Sequence, residues 1–310
     1  MADKPIRLAL VGVGKIARDQ HVPALEANPD FELVGCASRH QSLDGVPHAV
    51  SLEELLDTGI GIDAVSICTP PQARYEIAAA ALRRCLDVML EKPPGATLNE
   101  VAALEGLANA QGSSLFATWH SREAASVAPA RDWLSGRRVV RVHIDWREDV
   151  RVWHPGQTWI WQAGGLGVFD PGINALSIIT QILPQSVRVI DAELAVPENC
   201  ETPIAASIRM LGDAGAEVLA EFDFLHPGPP RWQIDVECED GHLRLTRGGA
   251  VLEIDGDTPV TAEDREYANL YRRFADLVRA RESDVDCEPL RLVADAFLCG
   301  RRRTVDAFVE

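Results

Sequence analysis

Lys92 stands in the string Glu91-Lys92-Pro93-Pro94-Gly95, directly after the short apolar run Asp87 to Leu90. An amine at the end of a buried strand lies where ligands of α/β proteins gather, and it can take or give a proton there. The X-Pro bond that follows is of the one kind that adopts cis at modest cost, which would aim the ammonium in an unusual direction. A solvated lysine paired with Glu91 is the plainer alternative. Asp170 and Asn174, four residues apart, form a second set, and on a helix beginning at Pro171 they project from one face. Asp170 equally has the form of a helix N-cap followed by proline at the first helical position. The run Gln162 to Gly167 ahead of it is dense in glycine, as loops that close over a ligand often are. A third set gathers Trp146, Trp153, Trp159 and Trp161 with Glu148, His154 and Gln157. Aromatic faces beside charged and amide groups suit a sugar, which presents hydroxyl edges and apolar C–H faces. A core aromatic cluster with polar residues at the surface is the alternative. His120, at another strand end, is a weaker candidate.

The element that would set a cofactor beside such groups opens the chain. Ile6 to Asp19 reads IRLALVGVGKIARD, an apolar strand, a glycine turn and a helix start. Gly12, Gly14 and Ala17 keep the GxGxxA spacing of a dinucleotide-binding turn. Gly12 allows the sharp turn, Gly14 lets a pyrophosphate approach the backbone at a helix N-terminus, and Ala17 permits close packing of helix on strand. The next strand, Phe31 to Ala37, ends in Ser38-Arg39-His40 rather than in an acidic residue. A carboxylate there would hold both ribose hydroxyls of NAD, whereas a hydroxyl and a guanidinium fork suit the 2′-phosphate of NADP. NADP is the expected cofactor, with NAD second. An Arg39 solvated on a surface loop is the competing reading.

Beyond Arg39, Ser51 stands three residues before Glu54 in a capping-box spacing and opens a helix to Asp57. A strand Asp63 to Cys68 ends at Thr69-Pro70-Pro71, followed by an Ala-rich helix Gln72 to Arg84, the strand Asp87 to Leu90, a helix Thr97 to Gln111 and a strand Ser114 to Trp119. This alternation predicts a doubly wound parallel sheet with helices on both faces, whose ligands gather beyond Thr69 to Pro71, Glu91 to Pro93 and Trp119 to His120. Near Ser121 the rhythm changes. After a helix Arg122 to Ser135, alternating stretches at 138–148, 187–196, 203–211, 217–224, 232–239 and 242–246, with turns at Asp240-Gly241 and Gly248-Gly249, predict a large open, mostly antiparallel sheet. One helix, Pro171 to Leu183, lies within it, and helices near 263–281 and 289–302 close the chain. The fold class is therefore α/β with two domains, residues 1–120 for the nucleotide and residues 121–310 for substrate and oligomer contacts, the last helices being able to pack back on the first domain.

The length of 310 residues agrees with two cores, and a formal net charge of -17 without a basic stripe argues against a nucleic-acid partner. Seven cysteines at scattered positions show no metal-ligand spacing and read as reduced thiols, mostly buried. No metal is called for. The first residues show no long apolar leader or cleavage site, and no run reaches the ~18 to 20 apolar residues of a membrane helix, so a cytoplasmic enzyme without a membrane partner is expected. Apolar residues on both faces of the large sheet, of which the chain's helices can cover only one, predict a homodimer through the open face.

Four strings resemble the Gfo/Idh/MocA oxidoreductase family: GVGKIARDQHVPAL at the N-terminus, CTPP at 68–71, EKPPG at 91–95 and GGLGVFDPGINAL at 164–176. ATWHSR, EDVRVWHPGQ, FDPGINALSI and PLRLVADAF are similar to its group of bacterial L-arabinose and D-galactose 1-dehydrogenases. The resemblance implies a Rossmann domain, a second α/β domain with a large open sheet, and oxidation of L-arabinose or D-galactose at C1 to the lactone. Another aldose or polyol is the alternative substrate, and a non-catalytic NADP-binding regulator a more distant one. It further implies catalytic roles for Lys92 and Asp170, and cofactor contacts from Gly12, Gly14, Lys15, Ile16, Ser38, Arg39, His40, Thr69, Pro70, Glu91 and Lys92. Sugar contacts are implied for Asn174, Glu148, His154, His120, Trp153 and Trp232. Where the wider family often has histidine, this chain has Asn174, whose neutral amide cannot act as a base, so proton removal falls to Lys92 or Asp170.

Overall fold

The computed structural model describes residues 4–310, so the first three residues of the stretch read for a leader lie outside it. The chain divides into two compact units, one of residues up to His120 together with Tyr267–Cys287, the other of Ser121–Glu266 and Glu288–Glu310.

In the first unit the strands β1 (Ile6–Val11), β2 (Phe31–Ala37), β3 (His48–Ala49), β4 (Ala64–Ile67), β5 (Asp87–Leu90) and β6 (Leu115–Ala117) alternate with the helices α1 (Val22–Glu26), α2 (Leu52–Asp57), α3 (Pro71–Arg83) and α4 (Leu98–Gln111). All pairings are parallel, in the order β3-β2-β1-β4-β5-β6, so the order reverses between β1 and β4, the crevice at which dinucleotides bind in such sheets. Because side chains alternate across a strand, Ala9 and Val11 join a cluster with Leu52, Leu55, Ala78, Leu82 and Leu104, while Leu8 and Leu10 join Leu25, Phe31 and Phe116 on the other face. The second face is completed from far along the chain by Tyr267, Tyr271 and Phe274. Thr97 and Glu100 form a reciprocal capping box that starts α4, and Ser51 accepts from the Glu54 N–H to start α2.

The second unit adds α5 (Val127–Leu134), β7 (Val139–Arg147), α6 (Val150–Trp153), α7 (Phe169–Ile182), β8 (Val187–Pro197), β9 (Ala205–Gly212), β10 (Glu217–Asp223), β11 (Arg231–Cys238), β12 (Gly241–Thr246), β13 (Val251–Ile254) and β14 (Val260–Thr261). Then follow α8 (Glu266–Ala280), which apart from its first residue belongs to the first unit, α9 (Glu288–Cys299) and β15 (Arg301–Val305). The nine-stranded sheet runs β14-β13-β12-β11-β7-β10-β9-β8-β15, antiparallel except for the β7–β10 and β8–β15 pairs. One face, with Val142, Ile144, Ile208, Val218, Phe222, Ile234 and Val236, is buried.

Several expectations are corrected here. The opposite face of the sheet is mixed rather than mainly apolar: Ile190, Leu211 and Leu219 lie on it, but Arg141 pairs with Glu237, Arg244 with Asp235, and Arg147 and Arg231 with Asp145. The helix expected over 122–135 is a tight turn, His120–Glu123, followed by α5, since Pro129 is tolerated only in the first turn of a helix. The last helix stops at Cys299, followed by Gly300, where a Cβ would lie 2.4 Å from the Ala296 carbonyl oxygen, and the residues beyond form β15. Of the seven cysteines only Cys36 is buried, while Cys85 and Cys299 are exposed.

Candidate active site

The glycine turn answers the demands its spacing predicts. Gly12 has φ +92, and a Cβ there would come within 2.9 Å of the Thr69 nitrogen, so no other residue fits between β1 and the end of β4. A Cβ on Gly14 would meet nothing within 4 Å, which leaves the approach to the backbone open for a pyrophosphate. Ala17 is fully buried. Lys15 and Ile16 are exposed beside this turn, Lys15 pairing with Asp19. At the end of β2, Ser38 accepts from the His48 ring through its carbonyl at 2.9 Å, and Arg39 and His40 are exposed.

Lys92 is half-buried, and the Lys92–Pro93 peptide bond is cis. Its surroundings include residues that the sequence reading did not single out. Arg74, 2 % exposed on α3, donates to the carbonyls of Glu91 and Pro93 on either side of Lys92 and to that of Thr69. The Glu91 carboxylate accepts from the Lys92 N–H at 2.7 Å through one oxygen, and from the Tyr267 hydroxyl at 2.6 Å and the His21 ring at 3.1 Å through the other. The second ring nitrogen of His21 lies 2.7 Å from the Tyr271 hydroxyl. Burial would raise the Glu91 pKa, but the His21 hydrogen bond and charge, with His120 and Tyr267, hold it far below the ordinary carboxylate range. For His21, burial opposes charging, and Cys68, Tyr271 and Glu91 together outweigh it, leaving the pKa well above 6.5. At neutral pH the Glu91 carboxylate is the charged member of that group, so we regard it as the main cause. His120 stacks on Tyr267 with ring centroids 5.6 Å apart. A signal for His21 did exist: Ala17, His21 and Leu25 recur every four residues on the buried face, so a histidine occupies a core position.

In the second unit Glu148, Asp170, His154 and Trp232 come together. Glu148 is 2 % exposed, and its two oxygens meet the His154 ring at 3.0 Å and the Trp232 indole N–H at 2.8 Å. The other ring nitrogen of His154 lies 3.6 Å from Asp170. The imidazole thus stands between two carboxylates, able to donate to one when neutral and to both when protonated. Trp232 stacks on Trp146 and meets the edge of Trp153, which is 41 % exposed. The tryptophans therefore form two groups, since Trp161 packs on Phe224 and Phe308 instead, while Trp159 is half-buried. Gln157 lines with His154 a cavity of about 680 Å³.

Asp170 is not a helix cap. The helix begins at Phe169 after Val168, no side chain caps it, and Asp170 sits within the first turn, where the helix dipole favours its negative charge. From Phe169 to Ile179 only Asn174 is half-exposed, so the face shared by Asp170 and Asn174 is the one that opens. The glycine run before the helix is pinned rather than loose: a Cβ at Gly165 would lie 2.4 Å from the Ile160 carbonyl oxygen, and one at Gly167 2.2 Å from that of Pro203. This argues against a closing loop.

Comparison with known proteins agrees with this arrangement. An oxidoreductase family with an NAD-binding Rossmann fold, GFO_IDH_MocA, matches residues 6–118. The chain is 52% identical to the galactose 1-dehydrogenase of Pseudomonas fluorescens, over 99% of this chain and 100% of that protein. The crystal structure of D-galactose-1-dehydrogenase from Rhizobium etli superposes with a TM-score of 0.95 at 54% identity, covering 100% of this chain and 99% of that one. A 3-ketoreductase from Actinomadura kijaniata, crystallised with NADP and TDP-benzene, shares the fold alone, with a TM-score of 0.84 at 20% identity over 97% of this chain and 99% of its own. The glycine turn, the cis-proline lysine and the Asp170 helix thus occur in a protein that belongs to the Gfo/Idh/MocA family of oxidoreductases.

Proposed function

We propose that the protein oxidises an aldose at C1 to the lactone, with D-galactose as substrate and L-arabinose as the second sugar to test. The observation that carries this is the Glu148–His154–Asp170 line bordered by Trp232 and Trp153, a set of polar groups beside aromatic faces that suits a pyranose. The full-length similarity to galactose 1-dehydrogenases supports it. In this reading residues 1–120 carry the cofactor and residues 121–310 the sugar and the subunit contact, and the protein works in the cytoplasm.

Bound nicotinamide supplies the hydride acceptor. Gly12, Gly14, Lys15 and Ile16 would hold the pyrophosphate end, with Thr69, Pro70, Glu91 and Lys92 along the strand ends. Ser38, Arg39 and His40 would meet the adenosine side. Since Arg39 offers an exposed guanidinium and no carboxylate ends β2, NADP is the preferred cofactor and NAD the weaker one. Lys92 or Asp170 takes the proton of the C1 hydroxyl. The neutral Asn174 amide holds a sugar hydroxyl. Glu148 fixes His154 and Trp232, while Trp153 and His120 give the sugar further contacts.

A spectrophotometric screen of aldoses with NAD and NADP tests the proposal, and no turnover with any pentose or hexose would refute it. Arg39→Ala should weaken NADP by about tenfold or more and NAD by much less, because only NADP carries the 2′-phosphate. Equal losses would remove Arg39 from that role.

The dimer is proposed on different grounds from those first expected. The uncovered sheet face holds a basin of about 720 Å³ where Ile190, Leu211 and Leu219 lie among Arg141, Arg209, Glu217 and Glu237. Apolar patches set among both signs of charge suit a self-complementary contact. Light scattering at assay concentration should give twice the chain mass, falling to the monomer in Leu219→Lys.

A further inference from the structure

We propose that His21 and Tyr267 are positioning residues for Lys92, acting through the Glu91 carboxylate to fix the direction of the amine. The inference rests on the reading above, in which Lys92 acts on the substrate, and assigns work to two side chains that are buried.

The geometry is specific to Lys92. Glu91 binds the backbone N–H of Lys92 itself, at 2.7 Å, with the oxygen it does not share with His21 and Tyr267. Arg74 holds the carbonyls before and after the same residue. Lys92 is thus gripped by its amide on one side and by its neighbours' carbonyls on the other, which fixes the backbone from which its side chain projects. The grip is assembled from four elements remote in sequence: the first helix turn, α3, the end of β5 and the start of α8.

His21 reaches Glu91 through a local irregularity. Residues Ala17–His21 form a wide turn in which the Val22 N–H bonds to Ala17, one residue further back than in an α-helix. Such turns inside helices are frequent at functional sites. His21 is fully buried and its ring is satisfied by Glu91 and Tyr271, with the Ser66 hydroxyl 3.3 Å away. A buried ion pair is weak evidence for stability, because well-packed apolar groups of the same volume often serve a core as well or better. The fixed geometry of such a pair is what an apolar group cannot replace, and here it terminates on the amide of Lys92.

The experiment compares His21→Leu, His21→Gln and Tyr267→Phe in the full chain. If the proposal holds, folded His21→Leu loses roughly 20-fold or more in kcat with an aldose while KM changes less than about threefold, since the lost alignment acts on the reacting step. His21→Gln, which restores an N–H donor toward Glu91, should recover at least about fivefold of that loss. A second readout needs no turnover. The chain has three lysines, Lys4, Lys15 and Lys92, so acetylation by acetic anhydride can be followed at each by mass spectrometry. His21→Leu should change the Lys92 rate by about threefold or more relative to Lys15. A folded His21→Leu with kcat within twofold and unaltered Lys92 labelling would overturn the proposal. Should His21→Leu fail to fold, Tyr267→Phe, which removes one hydrogen bond without a cavity, decides by the same two measurements. If the wild type oxidises no aldose, the functional reading fails while the labelling still judges the role of His21.

Discussion

Asp170 and Glu148 are the residues whose substitution discriminates most sharply. Because Asp170 lies inside the first turn of α7 and not at its N-cap, a change to asparagine should leave the melting temperature within about 2 °C and cofactor affinity nearly unchanged. Turnover should nevertheless fall by roughly two to four orders of magnitude, the range for a positioned acid or base. A normal kcat in Asp170→Asn would leave Lys92 as the base. Glu148→Gln keeps the shape but removes the charge and replaces one acceptor oxygen by a donor, which opposes the Trp232 indole N–H or, turned the other way, forces the facing His154 nitrogen to accept. Isothermal titration or steady-state kinetics should show sugar affinity lowered about tenfold, with cofactor binding unaffected. At this scale the sequence was informative where a residue type contradicts its position. Lys92 after an apolar strand stood out, whereas the helical spacing puts His21 on a core face but says nothing of the partners of His21 and Arg74, the Glu91 carboxylate and the carbonyls of residues 91 and 93, which only the fold brings to them. Likewise the glycines at 165 and 167 resembled a mobile loop, since the carbonyl groups they pack against, at Ile160 and Pro203, are set by contacts no local pattern encodes.

At the level of elements, β2 and β5 span the residues their apolar runs predict, and α7 differs by two residues at its start and one at its end. Strong periodicity and clear stop signals explain this success. Short pieces such as β3, β14 and α6 escaped because two to four residues carry too little pattern, and β15 because its exposed arginines imitate the polar end of α9. The mixed face of the large sheet was misjudged for another reason: period-two alternation shows that one face is buried but says little about what the other carries. One element-scale prediction concerns the segment that presents Trp153 and His154. Asn199 binds the Phe308 backbone at both its N–H and its carbonyl, Arg151 donates to the Val309 carbonyl at 2.9 Å, and the Phe308 ring packs on Trp161. Phe308→Ala should therefore loosen residues 150–161, seen as faster amide exchange there, and raise KM for the sugar about two- to fivefold. Thr97→Ala tests a plain structural element, the capping box of α4, and should cost about 1 kcal/mol in denaturant unfolding without altering kinetics.

For the whole molecule, the buried His21–Glu91 pair sets a pH window for stability. Glu91 has a folded pKa below its unfolded value near ~4.3, so its contribution is present above that pH and fades as pH falls toward the folded value. His21 has a folded pKa raised well above 6.5, so its contribution is complete below the unfolded value and is lost as pH rises through the folded one. Thermal unfolding between about pH 6 and 10 should show a decline on the alkaline side in the wild type that is absent from folded His21→Leu.

The return of α8 to the first unit also bears on synthesis. Tyr267, Tyr271 and Phe274 complete one face of the nucleotide-binding sheet, and the Ala117 N–H bonds to the Asp284 carbonyl beside β6. When ribosomes have made residues 1–120, that face is bare, and it stays so while almost 150 further residues emerge. The nascent chain must therefore either wait or be shielded, because α8 emerges only after β14, with α9 and β15 of the second unit following it. N-terminal units usually fold first during translation. Here the first unit is complete only once residue 287 is made, shortly before the last elements of the second, and a released fragment of residues 1–120 should be captured by chaperones or aggregate, whereas adding residues 267–287 through a flexible linker should restore a soluble, nucleotide-binding unit.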